Sequence, residues 1–180
     1  MTDDRRTPDP MADIGRLPRG AVVIFRHYDA PDRAGLGRRL RERAMRLGLV
    51  FVVAGDWRLA RRLGADGLHL PAWMVRRPAR FAPRWRGLLT AAAHGFAAAR
   101  AADRAGADLV LLSPVFPTAS HPDRPALGVI SFARTAGRLE CGVLALGGVT
   151  PERLRRVVMT GAAGYAGISA VRPAGRRRGL

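Results

Sequence analysis
The sequence predicts an α/β fold, a short TIM-type (β/α) barrel, and three observations carry that prediction. Strand and helix signals alternate from Ala21 onward, the pattern that builds a parallel sheet wrapped by helices. The strands are apolar without interruption, as in Leu109-Val-Leu-Leu112, and a strand with no polar face is covered on both sides. One joint also recurs, as Leu63-Gly-Ala-Asp-Gly-Leu-His-Leu70, Ala105-Gly-Ala-Asp-Leu-Val-Leu-Leu112 and Thr160-Gly-Ala-Ala-Gly-Tyr-Ala-Gly167. In each, a Gly-Ala helix stop passes at once into a strand.

The first strand is Ala21–Phe25, apolar and β-branched, closed by the polar run Arg26-His-Tyr-Asp29. A helix from Asp32 to Leu47 places Leu36, Leu40, Ala44 and Leu47 on one stripe, with Arg38, Arg39, Arg41 and Arg46 largely away from it. Gly48 ends that helix and Leu49–Val53 is the next strand. Trp57–Leu63 is a short helix and Gly67–Leu70 a short strand, while Pro78 and Pro83 limit Pro71–Pro83 to partial helix. Gly87–Ala92 is a strand and Phe96–Ala105 an Ala-rich helix. Strands Leu109–Leu112, Val143–Leu146 and Tyr165–Ile168 are separated by helices near Ile130–Leu139 and Pro151–Thr160. Thr150 suits the N-cap of the last helix, Pro151 its first turn and Gly161 its end. Seven strands in seven such units, with crossovers long enough for parallel pairing, make a barrel short of one strand.

At 180 residues the chain suits one domain, 1–180, although a complete eight-stranded barrel typically takes about 250. Residues 1–20 and 172–180 are expected to be poorly ordered. No apolar run approaches the roughly 20 residues of a membrane span, and Met1–Pro10 lacks a signal-peptide core. A cytoplasmic protein with no membrane partner is therefore expected. The single Cys141 excludes an intramolecular disulfide and has no His partner in its sequence context. The net charge of +17 invites a nucleic-acid reading, but all 31 basic residues are Arg, with no Lys, Asn or Gln in the chain. That pattern fits coding bias, and the arginines are spread over helices without interleaved aromatics, so no nucleic-acid partner is expected.

In parallel sheets ligands gather at the carboxyl ends of the strands. There the loop Ser113-Pro-Val-Phe-Pro-Thr-Ala-Ser120, with His121 after it, supplies hydroxyls, prolines and an imidazole. Leu144-Ala-Leu-Gly-Gly-Val-Thr-Pro151 and Gly164-Tyr-Ala-Gly-Ile-Ser-Ala170 are strands ending in small residues, which let backbone N–H groups approach an anion. Together the three read as a phosphate-binding corner.

In this order and spacing the segments resemble the thiamine phosphate synthase and thiazole tautomerase (TenI) superfamily, over roughly Val22 to Val171. The resemblance implies thiamine biosynthesis. Synthases of the family join hydroxymethylpyrimidine diphosphate to thiazole phosphate with Mg²⁺, whereas tautomerases isomerise the thiazole phosphate. It further implies that Thr118, Ala119, Ser120, Gly147, Gly148, Ile168 and Ser169 hold the thiazole phosphate. The pyrimidine-diphosphate side departs from the family pattern. Of its first strand end only Arg26 persists; its metal aspartates fall at Gly55 and Met74, its strand Ser at Ala92 and its Lys at His121. The resemblance therefore assigns no metal ligand here, and Mg²⁺ enters only if synthase chemistry is retained. Arg26 and His121 are the candidate catalytic groups, His121 as a diphosphate donor or as an acid–base group near neutral pH.

Other polar residues have simpler readings. Asp56 caps the helix at Trp57, with a lone metal ligand as the alternative; His69 is a satisfied buried histidine or a ligand, His94 caps the following helix or serves the site, and Trp73 and Trp85 pack. The family carries Thr-Asp just after its first strand and here Thr2-Asp3 follows Met1, so an open edge is expected between the first and last strands. Such an edge leaves a second copy of the chain as the one macromolecular partner to consider.

Overall fold
The computed structural model describes residues 1–77, 85–118 and 125–168. Its strands are β1 (Val22–Phe25), β2 (Val50–Ala54), β3 (Gly67–Leu70), β4 (Leu88–Ala93), β5 (Leu109–Leu112), β6 (Gly142–Leu146) and β7 (Gly164–Ala166). The helices are α1 (Pro10–Ile14), α2 (Arg33–Leu47), α3 (Trp57–Arg62), α4 (Phe96–Arg104), α5 (Gly128–Ala136) and α6 (Pro151–Val158). All strand pairs are parallel and follow chain order from β1 to β7, the wall of a βα barrel. The last strand stops at Ala166, two residues before the expected end, and α5 starts at Gly128, two before Ile130.

The apolar strands are buried on both faces because two cores use them. Phe25, Phe51, Val53, Leu68, Leu112 and others pack outward under the helices. Ile24, Val52, Ala54 and Leu111 fill the barrel interior, with Met1 and Leu144 against them. Helix α2 buries Leu40 and Ala44 as its stripe requires, and Gly37 joins them. A Cβ at Gly37 would sit 2.7 Å from Leu63 Cδ1 and 3.0 Å from Phe25 Cε1, so the glycine sets how closely α2 lies on the sheet.

The recurrent Gly-Ala-Asp joint acts as a clamp at the amino ends of the strands. Asp66 donates its N–H to Phe51 O (2.9 Å), and its carboxylate accepts from Phe51 N–H (2.8 Å). Asp108 repeats this on Leu89, at 2.8 and 2.7 Å. In the third copy Ala163 keeps only the backbone half, its N–H donating to Val143 O at 2.9 Å.

Residues 1–20 are ordered, contrary to expectation. Helix α1 is capped by Asp9, whose carboxylate accepts from Ala12 N–H at 3.0 Å, and Thr2, Thr7, Pro10 and Ile14 are buried. The anchors are non-local, which explains why composition misled. Thr2 N–H donates to Ile24 O (2.9 Å), the Thr2 hydroxyl accepts from Arg26 N–H (3.0 Å), and the Met1 amine donates to Gly167 O (2.9 Å). Strands β1 and β7 do not pair with each other, and Met1-Thr2 lies in the seam between them. The segment 172–180 lies outside the described residues.

Candidate active site
At the carboxyl ends of the strands lies a cavity of about 980 Å³. Strand alternation decides what faces it, because residues two apart share a side of the sheet. Arg26 and Tyr28 beyond β1, His69 and Pro71 at β3, and Ala92 and His94 at β4 all line it. So do Leu146 and Gly148 at β6, and Ala166 and Ile168 at β7.

Four of the residues that the resemblance assigns to phosphate lie on one side of this cavity. Thr118, Gly147, Gly148 and Ile168 all line it, and Thr150 adds the entry to α6. Gly147 and Gly148 have φ of 90° and 63°, a left-handed turn that side chains disfavour. Close packing is a second reason for glycine. A Cβ at Gly147 would lie 2.9 Å from Pro114 Cα, and one at Gly148 2.6 Å from Pro117 O. The turn is bound to the loop after β5, since Val115 N–H donates to Leu146 O (2.9 Å) and Phe116 N–H to Gly147 O (3.1 Å). Arg153 donates to Gly148 O (2.9 Å) while its guanidinium lies over the Phe116 ring. Ala119, Ser120, His121 and Ser169 lie outside the described residues.

The opposite side, at the ends of β1 to β3, is cationic and aromatic. Arg26 is half-buried and ion-paired with Asp3 at 3.2 Å. Arg33 donates to Ala54 O (2.7 Å) and lies over the rings of Phe25 and Tyr28. Trp73, expected to pack, is 67% exposed at the cavity mouth. Burial raises the Tyr28 phenol above its ordinary pKa, against the opposing pull of Arg26 and Arg33.

The comparisons with known proteins agree with one another. The profile of the family described as thiamine monophosphate synthase matches residues 16–171. This chain belongs to that family. It is 30% identical to a putative thiamine-phosphate synthase 2 of Aquifex aeolicus over 152 residues, 82% of this chain and 81% of that one. It is 34% identical to a thiamine-phosphate synthase of Geobacillus kaustophilus over 167 residues, 84% of this chain and 73% of the relative. The solved thiamine phosphate pyrophosphorylase of Pyrococcus furiosus superposes with a TM-score of 0.79 at 27% identity, covering 94% of this chain and 83% of that one.

The residues present do not fit the Mg²⁺ that the thiamine monophosphate synthase family implies. Among the described residues no three His, Cys, Asp or Glu side chains are grouped to hold a metal. Gly55 offers no ligand, and its missing side chain would enter space held by Tyr28 Cε1 (3.1 Å), Met74 Cε and Pro71 Cγ (both 3.7 Å). Asp56 is spent as the α3 cap, accepting from Leu59 N–H at 2.9 Å. Mg²⁺ requires hard oxygen ligands in near-octahedral array, and the groups packed around Gly55 include none but the Tyr28 phenol.

Three histidines separate by environment. His69 is buried, its Nδ1 is 2.8 Å from Thr90 Oγ1, and burial with help from Arg26 lowers its pKa to about 3. It is the satisfied histidine the sequence suggested. His27 Nδ1 pairs with Thr2 Oγ1 at 2.9 Å. His94 is not a helix cap: α4 has Gly95 at its N-cap and no side-chain cap bond. Its Nδ1 turns instead to the strand next door, 3.0 Å from Ser113 O and 3.2 Å from Ser113 Oγ. Burial raises the Cys141 thiol to about 11.

Proposed function
We propose that this chain binds thiazole phosphate with the phosphate at the β6–β7 corner, and couples it to hydroxymethylpyrimidine diphosphate to give thiamine phosphate in the cytoplasm. The supporting observation is a single cavity with an anion corner at one pole and arginines at the other: Thr118, Gly147, Gly148 and Ile168 against Arg6 and Arg26. A phosphate at the corner would meet backbone N–H groups and the positive end of α6, with Thr118, Ala119, Ser120 and Ser169 adding side-chain and backbone donors. In the coupling, the bond between the pyrimidine methylene and the diphosphate oxygen breaks and its electron pair leaves with the diphosphate. The thiazole nitrogen lone pair then forms the new C–N bond. Arg26 and His121 stabilise the departing diphosphate, a planar guanidinium being suited to paired phosphate oxygens.

A second reading is a tautomerase-like or purely phosphate-binding protein that keeps only the thiazole half-site. The observation in its favour is the packing of Tyr28, Met74 and Pro71 into the space a side chain at Gly55 would take. One assay separates them: thiamine phosphate formation from both substrates, in EDTA and then in excess Mg²⁺. The coupling reading expects product in EDTA. Thiazole phosphate bound with no product in either condition selects the half-site reading, and a strict Mg²⁺ requirement abolished by Asp56→Ala restores metal chemistry at Asp56.

A further inference from the structure
The turn that Gly147 and Gly148 make possible is also one that glycine leaves soft. Without a Cβ the backbone passes readily between left- and right-handed conformations, so the direction of its N–H groups has to be fixed through its carbonyls. The peptides of the turn are trans, and a trans peptide turns its C=O and the following N–H to opposite sides. Three successive carbonyls are held. Val115 N–H donates to Leu146 O (2.9 Å) and Phe116 N–H to Gly147 O (3.1 Å). The third, Gly148 O, accepts from Arg153 Nη1 (2.9 Å), and that bond sets the direction of the Val149 N–H.

Two of these anchors are backbone groups, which a change of side chain leaves in place; Arg153 is the side-chain anchor. It stands in the first turn of α6, reaches back five residues to Gly148, and is itself steadied with its guanidinium 5.1 Å from the ring centroid of buried Phe116. Phe116 belongs to the loop that leads to Thr118, so one guanidinium joins the glycine turn, that loop and α6. No other side chain does this work at the helix entry, since Thr150 makes no side-chain cap bond. Among the described residues the N–H groups of Gly148 and Val149 meet no acceptor, and both residues line the cavity. Arg153 does not line it, and acts on the cavity only through the turn.

We propose that Arg153 is a positioning residue for the anion corner: by holding Gly148 O it aims the Val149 N–H into the cavity, and by packing on Phe116 it keeps the Thr118 loop against the turn. The proposal rests on the phosphate placement put forward above and adds to it the residue that keeps the corner in shape.

The test is calorimetry on the full chain with thiazole phosphate and, as the control ligand, hydroxymethylpyrimidine diphosphate. Arg153→Met keeps an apolar stem without a donor; it should weaken thiazole phosphate about tenfold, the size of one charge-assisted hydrogen bond, and the diphosphate less than about twofold. Arg153→Lys, a donor of similar reach, should recover most of that loss. The loss in Arg153→Met should persist in about 0.5 M salt, which screens a distant charge but leaves the shape of the turn alone. A loss that vanishes in salt, equal weakening of both ligands, or a Lys variant no better than Met overturns the proposal. Spectra of the wild type need no variant: the Arg153 Nη protons should correlate with the Gly148 carbonyl carbon, and a freely rotating guanidinium overturns the proposal as well. Bound thiazole phosphate should shift the Val149 amide. An unmoved amide sinks the phosphate placement together with this inference, whereas a shifted amide with wild-type affinity in Arg153→Met overturns the role of Arg153 alone.

Discussion

The two sides of the cavity are built on the same barrel wall by different means. The β5–β7 side is a backbone device, in which glycines at φ of 90° and 63° and a loop bonded to β6 create the concavity. The β1–β3 side is a side-chain device, made of Arg26, Arg33, Tyr28, Pro71 and Trp73. A backbone site depends on fold geometry and survives sequence change so long as its glycines remain. A side-chain site is rewritten one substitution at a time. The difference teaches that one wall of the cavity is set by backbone geometry and the other by side chains that single substitutions can change.

The comparison can be broken most decisively at the corner. Gly148→Val should weaken thiazole phosphate binding by more than about 100-fold and destabilise the fold by about 2–3 kcal/mol, because both the left-handed φ and the approach of Pro117 O oppose a side chain. Unchanged affinity in a folded variant, read by calorimetry and circular dichroism, would remove the corner from the site.

The buried middle of the cavity can be tested through pH. His69 has a folded pKa of about 3 against an ordinary value near 6.5, so between these the unfolded chain binds a proton that the folded chain refuses. Its contribution to stability is complete above about pH 6.5 and is lost as pH falls, at up to about 1.4 kcal/mol per pH unit. Urea denaturation at pH 7, 5 and 4 should show this slope, and His69→Gln should flatten it. A slope that persists in the variant assigns the effect to other groups.

On the arginine side, Arg26→Ala should weaken pyrimidine diphosphate binding about tenfold and thiazole phosphate less than twofold. Equal losses for both ligands would mean that the two poles are not separate. The smallest effect is expected of Gly55→Asp, which puts a carboxylate at φ 74° with its Cβ 3.1 Å from Tyr28. It should cost about 1 kcal/mol in thermal melts and create no Mg²⁺ site by calorimetry. Tight Mg²⁺ binding in that variant would show that one residue separates the two kinds of site.

The sequence announced the barrel because its signals are local. Continuous apolar strands, the Leu40–Ala44 stripe and the Gly-Ala joints each state their structure within a few residues. The Gly147-Gly148 turn was legible for the same reason, since it needs no distant partner to be recognised. What escaped were contacts made across the chain. The burial of Thr2 depends on Ile24 and Arg26, and His94 chose a carbonyl 19 residues away over the helix that begins beside it. Trp73 reads as core by composition, yet it stands at the rim because β3 ends in Leu70-Pro71 and the chain leaves the barrel there.

The incomplete third clamp bears on how the barrel responds to its ligand. Asp66 and Asp108 each fasten a neighbouring strand with a carboxylate as well as a backbone N–H, whereas Ala163 fastens β6 to β7 with the N–H alone. The strand that leads to Ile168 is therefore joined to its predecessor by one fewer bond than β3 or β5, and a phosphate seated at the corner would work as the missing rivet. Binding free energy there would go partly into holding the wall shut. If the corner holds phosphate as proposed, it would fasten the fold as well as receive the ligand, and the hydrogen-exchange protection of β7 should rise on ligation more than that of β2 or β4.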